Sequence, residues 1–256
     1  MTQGTALDGA SYAVIQPILM PLPDRDFDPT EAAIPWQTCT SHGLRIAFST
    51  ENGSVAEGDL RRLEGPLPGL LSASQRARVA YREMTEDPAY QQPIPYEKID
   101  PSRYQGLLLP GGDALGVCQY LDSSLLQSKV LQFWQENKPI GAICHGVLVL
   151  ARTIDHRTGR SVVYGHKVTA PPKSLDRFGY LADRWLLKHG YIMYQRCVAE
   201  EVRACVRHPQ DLSFGPSLFK PYVVRDGMLI TSRWYLDAEL FAQRFVEALG
   251  ERAVVA

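Results

Sequence analysis

Cys144 is the residue of this sequence with the clearest capacity for covalent chemistry. It follows the apolar run Ile140 to Ile143 and precedes Gly146, a pattern that predicts a strand, a sharp turn and the start of a helix. The N-terminus of a helix carries partial positive charge, and a thiol of ordinary pKa about 8.5 can fall to roughly 3.5–7.5 in such a setting. The pattern favours a reactive thiolate, and the alternative is a buried structural cysteine.

His145 follows Cys144 directly and is a candidate general base for the thiol. Neighbouring residues of a regular strand point to opposite faces, so the two side chains can meet only if the chain turns between them. Gly146 permits such a turn, in the manner of the nucleophile elbow of α/β hydrolases. The alternative for His145 is a surface or helix-capping histidine.

A second junction of strand and turn lies upstream, at Leu109-Pro110-Gly111-Gly112-Asp113. Paired glycines after a buried strand let the backbone turn tightly and present amide N–H groups to a ligand, as an oxyanion hole requires. Open α/β sheets build their sites at the carboxyl ends of strands. A simple turn would also account for these glycines.

Glu31 is the candidate acid. Asp28-Pro29-Thr30-Glu31 is typical of a helix start, with Asp28 as N-cap and Glu31 closing a capping box. Pro35 removes the amide that would bond to the Glu31 carbonyl and is expected to bend the helix after one turn. Such a bend would direct Glu31 towards the crevice that holds Cys144.

Apolar runs alternate with amphipathic stretches along the chain, which predicts an α/β fold with a mostly parallel sheet. Strands are predicted at 12–19, 45–49, 106–109, 139–143, 167–169, 222–225 and 228–232. Helices are predicted at 30–41, 123–136, 146–153, 175–189, 199–206 and 236–249. Arg225-Asp226-Gly227 predicts a hairpin, and hence an antiparallel edge. The irregular stretch 51–101 is predicted to be an insertion with one helix, acting as a lid or a subunit contact.

Composition bounds the function further. The 256 residues are 45% hydrophobic with a net charge of -1, which predicts a single domain over 1–256 and argues against nucleic-acid binding. A signal peptide and a membrane span are not expected, so a soluble cytoplasmic protein is predicted. Five cysteines without a Cys-x-x-Cys pair indicate free thiols. Neither a metal nor an organic cofactor is expected, because Cys39 and His42 alone do not make a metal site.

The ordered set of motifs resembles the ThiJ/PfpI (DJ-1-like) family of the class I glutamine amidotransferase-like superfamily. The matching segments are Phe27 to Glu31 with Pro35-Trp36, Leu109 to Gly112, Ala142 to Gly146, and Thr231-Ser232-Arg233. The resemblance implies a flavodoxin-like three-layer sandwich, a homodimer, Cys144 as nucleophile and Glu31 as its acid. It also implies an oxyanion hole made by the amides of Gly112 and His145.

Three further site residues follow from the resemblance. Asp176 stands where an acid orients the histidine in the branch that includes glyoxalase III, and an exposed helix carboxylate is its alternative. Ala114-Leu115-Gly116 lacks the acid that another branch supplies from a second subunit. Asp113 replaces the histidine that often follows the double glycine and is expected to alter substrate preference. Arg233 is a candidate for binding an anionic group, or alternatively forms a salt bridge.

The function predicted is a cofactor-independent enzyme in which Cys144 attacks a small electrophilic substrate, of the hydrolase, hydratase or glyoxalase/lyase type. One alternative is a redox sensor or stress-protective chaperone, with Cys144 oxidised and Glu31 bonding the product. Another is a tailoring enzyme of a biosynthetic pathway, with the segment 51–101 enlarging the pocket. An intact His145 with Asp176 favours turnover over sensing.

Overall fold

The structure is a computed structural model that describes residues 16–65, 67–69, 72–175 and 197–255. The strands within these ranges are β1 (Ile18–Pro21), β2 (Arg25–Phe27), β3 (Ile46–Thr50), β4 (Glu57–Gly58), β5 (Ile94–Pro95), β6 (Gly106–Leu109), β7 (Ile140–Ile143), β8 (Ile154–Asp155), β9 (Arg160–Ser161), β10 (Val223–Asp226) and β11 (Leu229–Ser232). Seven of them form one sheet in the order β10-β11-β7-β6-β1-β3-β5.

Every pairing in this sheet is parallel except that of β10 with β11. The predicted hairpin at the sheet edge is therefore confirmed, with Asp226 opposite Leu229 across the turn. The central strand β6 is apolar on both faces, as a strand covered by helices on both sides must be. The predicted α/β fold with a mostly parallel sheet and an antiparallel edge is confirmed.

The helices cover both faces of the sheet. They are α1 (Pro29–Ser41), α2 (Leu60–Glu64), α3 (Gln75–Glu86), α4 (Pro88–Gln91), α5 (Cys118–Asp122), α6 (Ser124–Gln135), α7 (Gly146–Arg152), α8 (Val198–Cys205) and α9 (Ala238–Val255). Leu107 and Leu109 of β6 join the core with α6, α7 and α8, whereas Leu108 joins the core with α1, α3 and α9. This alternation produces a flavodoxin-like three-layer sandwich.

Two sequence predictions about elements are wrong. The segment 167–169 forms a single bridge from Val168 to Leu212 rather than a strand, because the Thr169 amide donates to the Thr231 side chain at 2.9 Å. The segment 51–101 contains three helices instead of one, and its β5 pairs with β3 as the seventh strand of the sheet. Most of the predicted helix 175–189 lies outside the described residues.

The helix that carries Glu31 begins as the sequence predicts. The Asp28 side chain accepts hydrogen bonds from the amides of Thr30 and Glu31 at 2.8 and 3.1 Å, which caps α1. The helix then continues through Pro35 to Ser41, so the proline does not end it. None of the helices that the structure describes combines the length and the apolar character that a membrane crossing requires.

Candidate active site

Cys144 lies in the turn between β7 and α7 and has a φ of 56°. This left-handed conformation is rare for a residue with a side chain and occurs where the surrounding structure enforces it. The Cys144 amide donates to the Ser232 carbonyl at 3.0 Å, which continues the pairing of β7 with β11. A β-carbon on Gly146 would collide with the Leu109 carbonyl oxygen, so the tight turn requires glycine there. The predicted strand, sharp turn and helix start around Cys144 are confirmed.

His145 meets the thiol through this turn. Its Nδ1 lies 3.4 Å from Cys144 Sγ, within hydrogen-bond reach for sulfur. The imidazole is buried, and burial lowers the pKa of His145 from 6.5 to about 4. The ring is therefore neutral at physiological pH, and a neutral ring can accept the thiol proton.

Glu31 reaches the same site from the first turn of α1. Its side chain is 2% exposed, accepts a hydrogen bond from the Gly111 amide at 3.1 Å and hydrogen-bonds Cys144. The Asp28 amide donates instead to the Gly111 carbonyl at 2.9 Å, so the predicted capping box is wrong. Burial, together with the neighbouring Asp28 carboxyl group, raises the pKa of Glu31 well above its ordinary value. This shift favours the protonated form of Glu31, which can donate a proton.

The Cys144 thiol is surrounded by carboxyl groups. Burial raises its pKa well above the ordinary value, and Glu31, Asp113 and Asp28 raise it further. The sequence predicted a lowered pKa from the helix N-terminus, and that prediction is wrong, because burial and the neighbouring carboxyl groups raise the pKa of the thiol. These shifts favour the thiol form of Cys144 over the thiolate.

The double glycine brings the end of β6 against the elbow. A β-carbon on Gly111 would lie 2.7 Å from the His145 amide nitrogen and 2.9 Å from Cys144 Cβ. Gly112 has a φ of 147°, and a β-carbon there would lie 2.6 Å from the Asp26 carbonyl oxygen. Only residues without side chains permit this approach. Gly111 thus lies beside Cys144, whereas Gly112 packs against Asp26 and Phe27. The oxyanion role of the Gly112 and His145 amides stays a prediction.

Asp113, the next residue, forms an ion pair with Arg62 of α2. Arg62 Nε donates to Asp113 Oδ1 at 3.4 Å, and Nη2 contacts Oδ2. The side chains are 16% and 20% exposed. Sequence reasoning missed Arg62, since it lies in the irregular segment 51–101 and no local pattern distinguishes it from Arg61 beside it.

Arg233 does not serve the site as an anion-binding residue. Its side chain is 0% exposed and pairs with Asp237. Nε and Nη2 donate to the Asp237 carboxylate at 2.9 and 2.8 Å, and the remaining donors bond the carbonyls of Phe214, Ser217 and Lys220 at 2.8 Å. All five N–H groups are used within the protein, so the alternative of a salt bridge is the one that the structure shows.

Asp176, the predicted orienter of His145, lies outside the described residues. Across the described ranges, no three histidine, cysteine or acidic side chains are grouped as a metal site would require.

A family model for ThiJ/PfpI family-like proteins matches residues 22–211, which include Glu31, the double glycine and the elbow. The chain belongs to this family. The glutathione-independent glyoxalase hsp3101 of Schizosaccharomyces pombe is 27% identical over 142 residues, which are 55% of this chain and 56% of that protein. Protein DJ-1 homolog D of Arabidopsis thaliana is 30% identical over 156 residues, 60% of this chain and 30% of that protein.

Solved structures of the family share the fold. The crystal structure of glyoxalase III from Candida albicans has a TM-score of 0.69 at 16% identity, covering 91% of this chain and 97% of that one. The matches to the curated relatives span between 30% and 56% of the lengths of those proteins.

Proposed function

We propose that this protein is a cofactor-independent enzyme in which Cys144 adds to a small electrophilic carbonyl compound. The observation that supports this most directly is the contact between Cys144 Sγ and His145 Nδ1 at 3.4 Å. The same thiol is also hydrogen-bonded to Glu31. The proposed nucleophile can therefore exchange a proton directly with the proposed base and with the proposed acid.

The addition step follows from these contacts. His145 Nδ1 accepts the thiol proton as Sγ attacks the carbonyl carbon, and the electron pair of the C=O bond moves to the oxygen. Protonated Glu31 then supplies a proton to that oxygen, which leaves a hemithioacetal, a carboxylate on Glu31 and an imidazolium on His145. In this proposal the amides of Gly112 and His145 stabilise the oxygen before it is protonated.

Within the hydrolase, hydratase and glyoxalase types, we favour a glyoxalase-type reaction on a ketoaldehyde. The relatives named as glyoxalases support it, and the adduct can rearrange and be released by water without a cofactor. A redox sensor fits less well, because oxidation of cysteine follows its thiolate character and the carboxyl groups around Cys144 disfavour the thiolate.

The test is a turnover assay with methylglyoxal, an amide and an isocyanide, using the wild type, Cys144→Ala and His145→Ala. We expect turnover of the ketoaldehyde, its abolition in Cys144→Ala, and a loss of about 10²- to 10⁴-fold in kcat for His145→Ala. Formation of a stable sulfinate under mild peroxide, without Cys144-dependent turnover of any of the three compounds, contradicts the proposal and favours the sensor.

Two parts of the proposal need their own tests. If Asp176 orients His145, Asp176→Asn lowers kcat while the circular dichroism spectrum is unchanged, and wild-type activity in that variant removes Asp176 from the mechanism. The homodimer implied by the family resemblance is tested by sedimentation equilibrium.

A further inference from the structure

Two buried polar side chains beside the nucleophile lack a hydrogen-bond partner within the described part of the chain. They are the Ser232 hydroxyl and the Trp234 indole N–H, and the two residues are 0% and 7% exposed. Ser232 is the last residue of β11, and Trp234 follows two positions later. Buried polar groups are nearly always hydrogen-bonded, so each exception calls for an explanation.

Ser232 lies next to the turn that holds Cys144. Its carbonyl accepts a hydrogen bond from the Cys144 amide at 3.0 Å, and it is opposite Ile143 in the pairing of β11 with β7. Alternate residues of a strand share a face of the sheet, and Ile230 packs in the core formed with α1 and α9. The Ser232 side chain therefore lies on the face that carries α1, the helix of Glu31.

Trp234 lies between this site and an exposed aromatic residue. Its ring centre is 4.9 Å from that of Tyr235 and 6.4 Å from that of Phe219. The Asp28 and Glu31 carboxyl groups act electrostatically on the Tyr235 hydroxyl, so Tyr235 lies near the start of α1. Phe219 is 72% exposed. The indole is thus flanked by the site on one side and by a solvent-accessible ring on the other.

The chemistry of the two groups limits what can bind them. An indole N–H only donates hydrogen bonds, and a serine hydroxyl can donate as well. A carbonyl oxygen has two lone pairs and can accept from both. Their common ligand is therefore an acceptor oxygen. Because both groups lie beside Cys144, that oxygen belongs to a carbon next to the one that the thiol attacks.

From this arrangement we infer that Ser232 and Trp234 determine substrate specificity by binding a second oxygen of the substrate. The substrates are then vicinal dicarbonyl compounds such as ketoaldehydes, whose keto oxygen accepts the two hydrogen bonds while Cys144 attacks the aldehyde carbon. Simple aldehydes lack this oxygen and are poorer substrates. The inference rests on the proposed function in that Cys144 is the nucleophile.

The experiment compares the alkylation of Cys144 by chloroacetone and by methallyl chloride. The two reagents have the same leaving group and nearly the same shape, but the C=O group of the first is a C=CH₂ group in the second. Chloroacetone carries its oxygen on the carbon next to the one attacked, as a ketoaldehyde does. Each rate is measured by mass spectrometry of the Cys144 peptide and divided by the rate for N-acetylcysteine. The ratio of the two normalised rates cancels changes in the thiolate fraction.

We expect the wild type to favour chloroacetone by about tenfold after normalisation, the size of effect that one or two ordinary hydrogen bonds produce. Ser232→Ala and Trp234→Phe should each lower this preference to about threefold, since each removes one of the two donors. The double variant should abolish it. Phenylalanine retains an aromatic ring at position 234, so Trp234→Phe removes mainly the N–H donor.

The matched controls are Ser49→Ala and Trp134→Phe. The Ser49 hydroxyl is also buried without a partner among the described residues, but β3 lies three strands from β7 in the sheet. Trp134 lies on α6, against His166. Both variants should keep the wild-type preference. Ser232→Ala should also leave the urea midpoint of unfolding at or above the wild-type value, because it removes a hydroxyl that bonds none of the described residues.

The possible failures are distinct. Equal normalised rates in the wild type, an unchanged preference in both site variants, or the same loss in the controls overturns the specificity assignment and leaves Cys144 as a nucleophile. A urea midpoint well below the wild-type value in Ser232→Ala assigns the hydroxyl to folding and overturns it as well. Modification of Cys144 by neither reagent contradicts the proposed function, and the assignment with it. Loss of the preference only in the site variants, without turnover of any carbonyl compound, retains the assignment and overturns only the reaction.

Discussion

Glu31 and His145 both lie beside the Cys144 thiol, and the pKa shift of each of the three groups favours its uncharged form. Burial raises the pKa of Glu31 and of the thiol, and burial lowers the pKa of His145 to about 4. In each case burial disfavours the charged form of the group. In the proposed addition, charge develops only when the thiol proton moves to His145, so a base is needed in that step.

The thiol provides the first prediction at this scale. Because its pKa is raised, the thiolate is a minor species at neutral pH and increases only under alkaline conditions, above the range of an ordinary cysteine. The ultraviolet absorbance of the wild type minus that of Cys144→Ala should therefore show no thiolate step between pH 5 and pH 8, about the range of a lowered thiol pKa. A step completed below pH 7 would show that α7 outweighs the carboxyl groups.

Arg233 provides the second prediction. Arg233→Met leaves the Asp237 carboxylate buried without its partner, and breaking a buried pair in this way costs about 3–5 kcal/mol. The matched control is Arg244→Met, since Arg244 pairs with Glu247 at 2.8 Å on the surface, where such pairs contribute about 0–1 kcal/mol. Urea denaturation measures both, and similar losses in the two variants would contradict the structural assignment of Arg233.

The sequence identifies residues whose role follows from local chain geometry. Cys144 and Gly146 occupy a strand-to-helix turn that their own neighbours predict, and Glu31 follows an N-cap that the structure also has. The partners of Arg62 and Arg233 could not be predicted in the same way, because Asp113 and the carbonyls around Arg233 come from other elements. Protonation states were beyond prediction as well, since burial decides them.

At the scale of elements, the strand, turn and helix around Cys144 store backbone strain. A left-handed conformation costs an L-residue roughly 1–2 kcal/mol, and here β7, β11 and the start of α7 impose it. The result is a half-buried turn position that brings the thiol next to Glu31. The strain is thus a direct consequence of the turn between β7 and α7 that positions the Cys144 sulfur.

This strain predicts an unusual order of stability. Cys144→Gly should be more stable than Cys144→Ala by about 0.5–1 kcal/mol, because glycine has no penalty at positive φ even after its greater unfolded-state entropy is counted. The same two substitutions at Cys39, within α1, should give the reverse order, with alanine more stable by about 1 kcal/mol. Thermal unfolding measures all four variants, and the same order at both positions would rule out strain at the elbow.

Strands with continuous apolar runs could be predicted from the sequence, whereas short elements could not. The segments at 106–109 and 139–143 were predicted because a buried parallel strand is a continuous run of apolar residues. By contrast, β5 consists of Ile94 and Pro95, and two residues carry no periodicity. The false strand at 167–169 has the composition of a strand, but a side chain rather than a neighbouring strand accepts its Thr169 amide.

At the scale of the whole molecule, the segment 51–101 is part of the main core. The Tyr90 hydroxyl donates to the Ala56 carbonyl at 2.7 Å, and the Tyr96 hydroxyl bonds the Leu22 carbonyl at 2.5 Å. Trp36 Nε1 of α1 donates to the Asp87 carboxylate at 3.3 Å. Two of these three bonds tie the segment to α1 or to Leu22, the residue that follows β1. A lid that opens as one body would have to break them together with the pairing of β5.

The last prediction separates an independent lid from an integrated segment. Met84 of α3 is fully buried in the core that also holds Phe48 of β3, and Met84→Ala should lower the free energy of unfolding by about 2–5 kcal/mol. Its neighbour Glu83 is exposed, and Glu83→Ala should change the free energy of unfolding by less than about 0.5 kcal/mol.

Urea unfolding of Met84→Ala is followed by far-ultraviolet circular dichroism and by tryptophan fluorescence. If the segment belongs to the main core, the two probes give one coincident transition, shifted to a lower urea concentration. An early transition confined to one probe, with the main transition at the wild-type midpoint, would instead identify 51–101 as a lid that unfolds by itself.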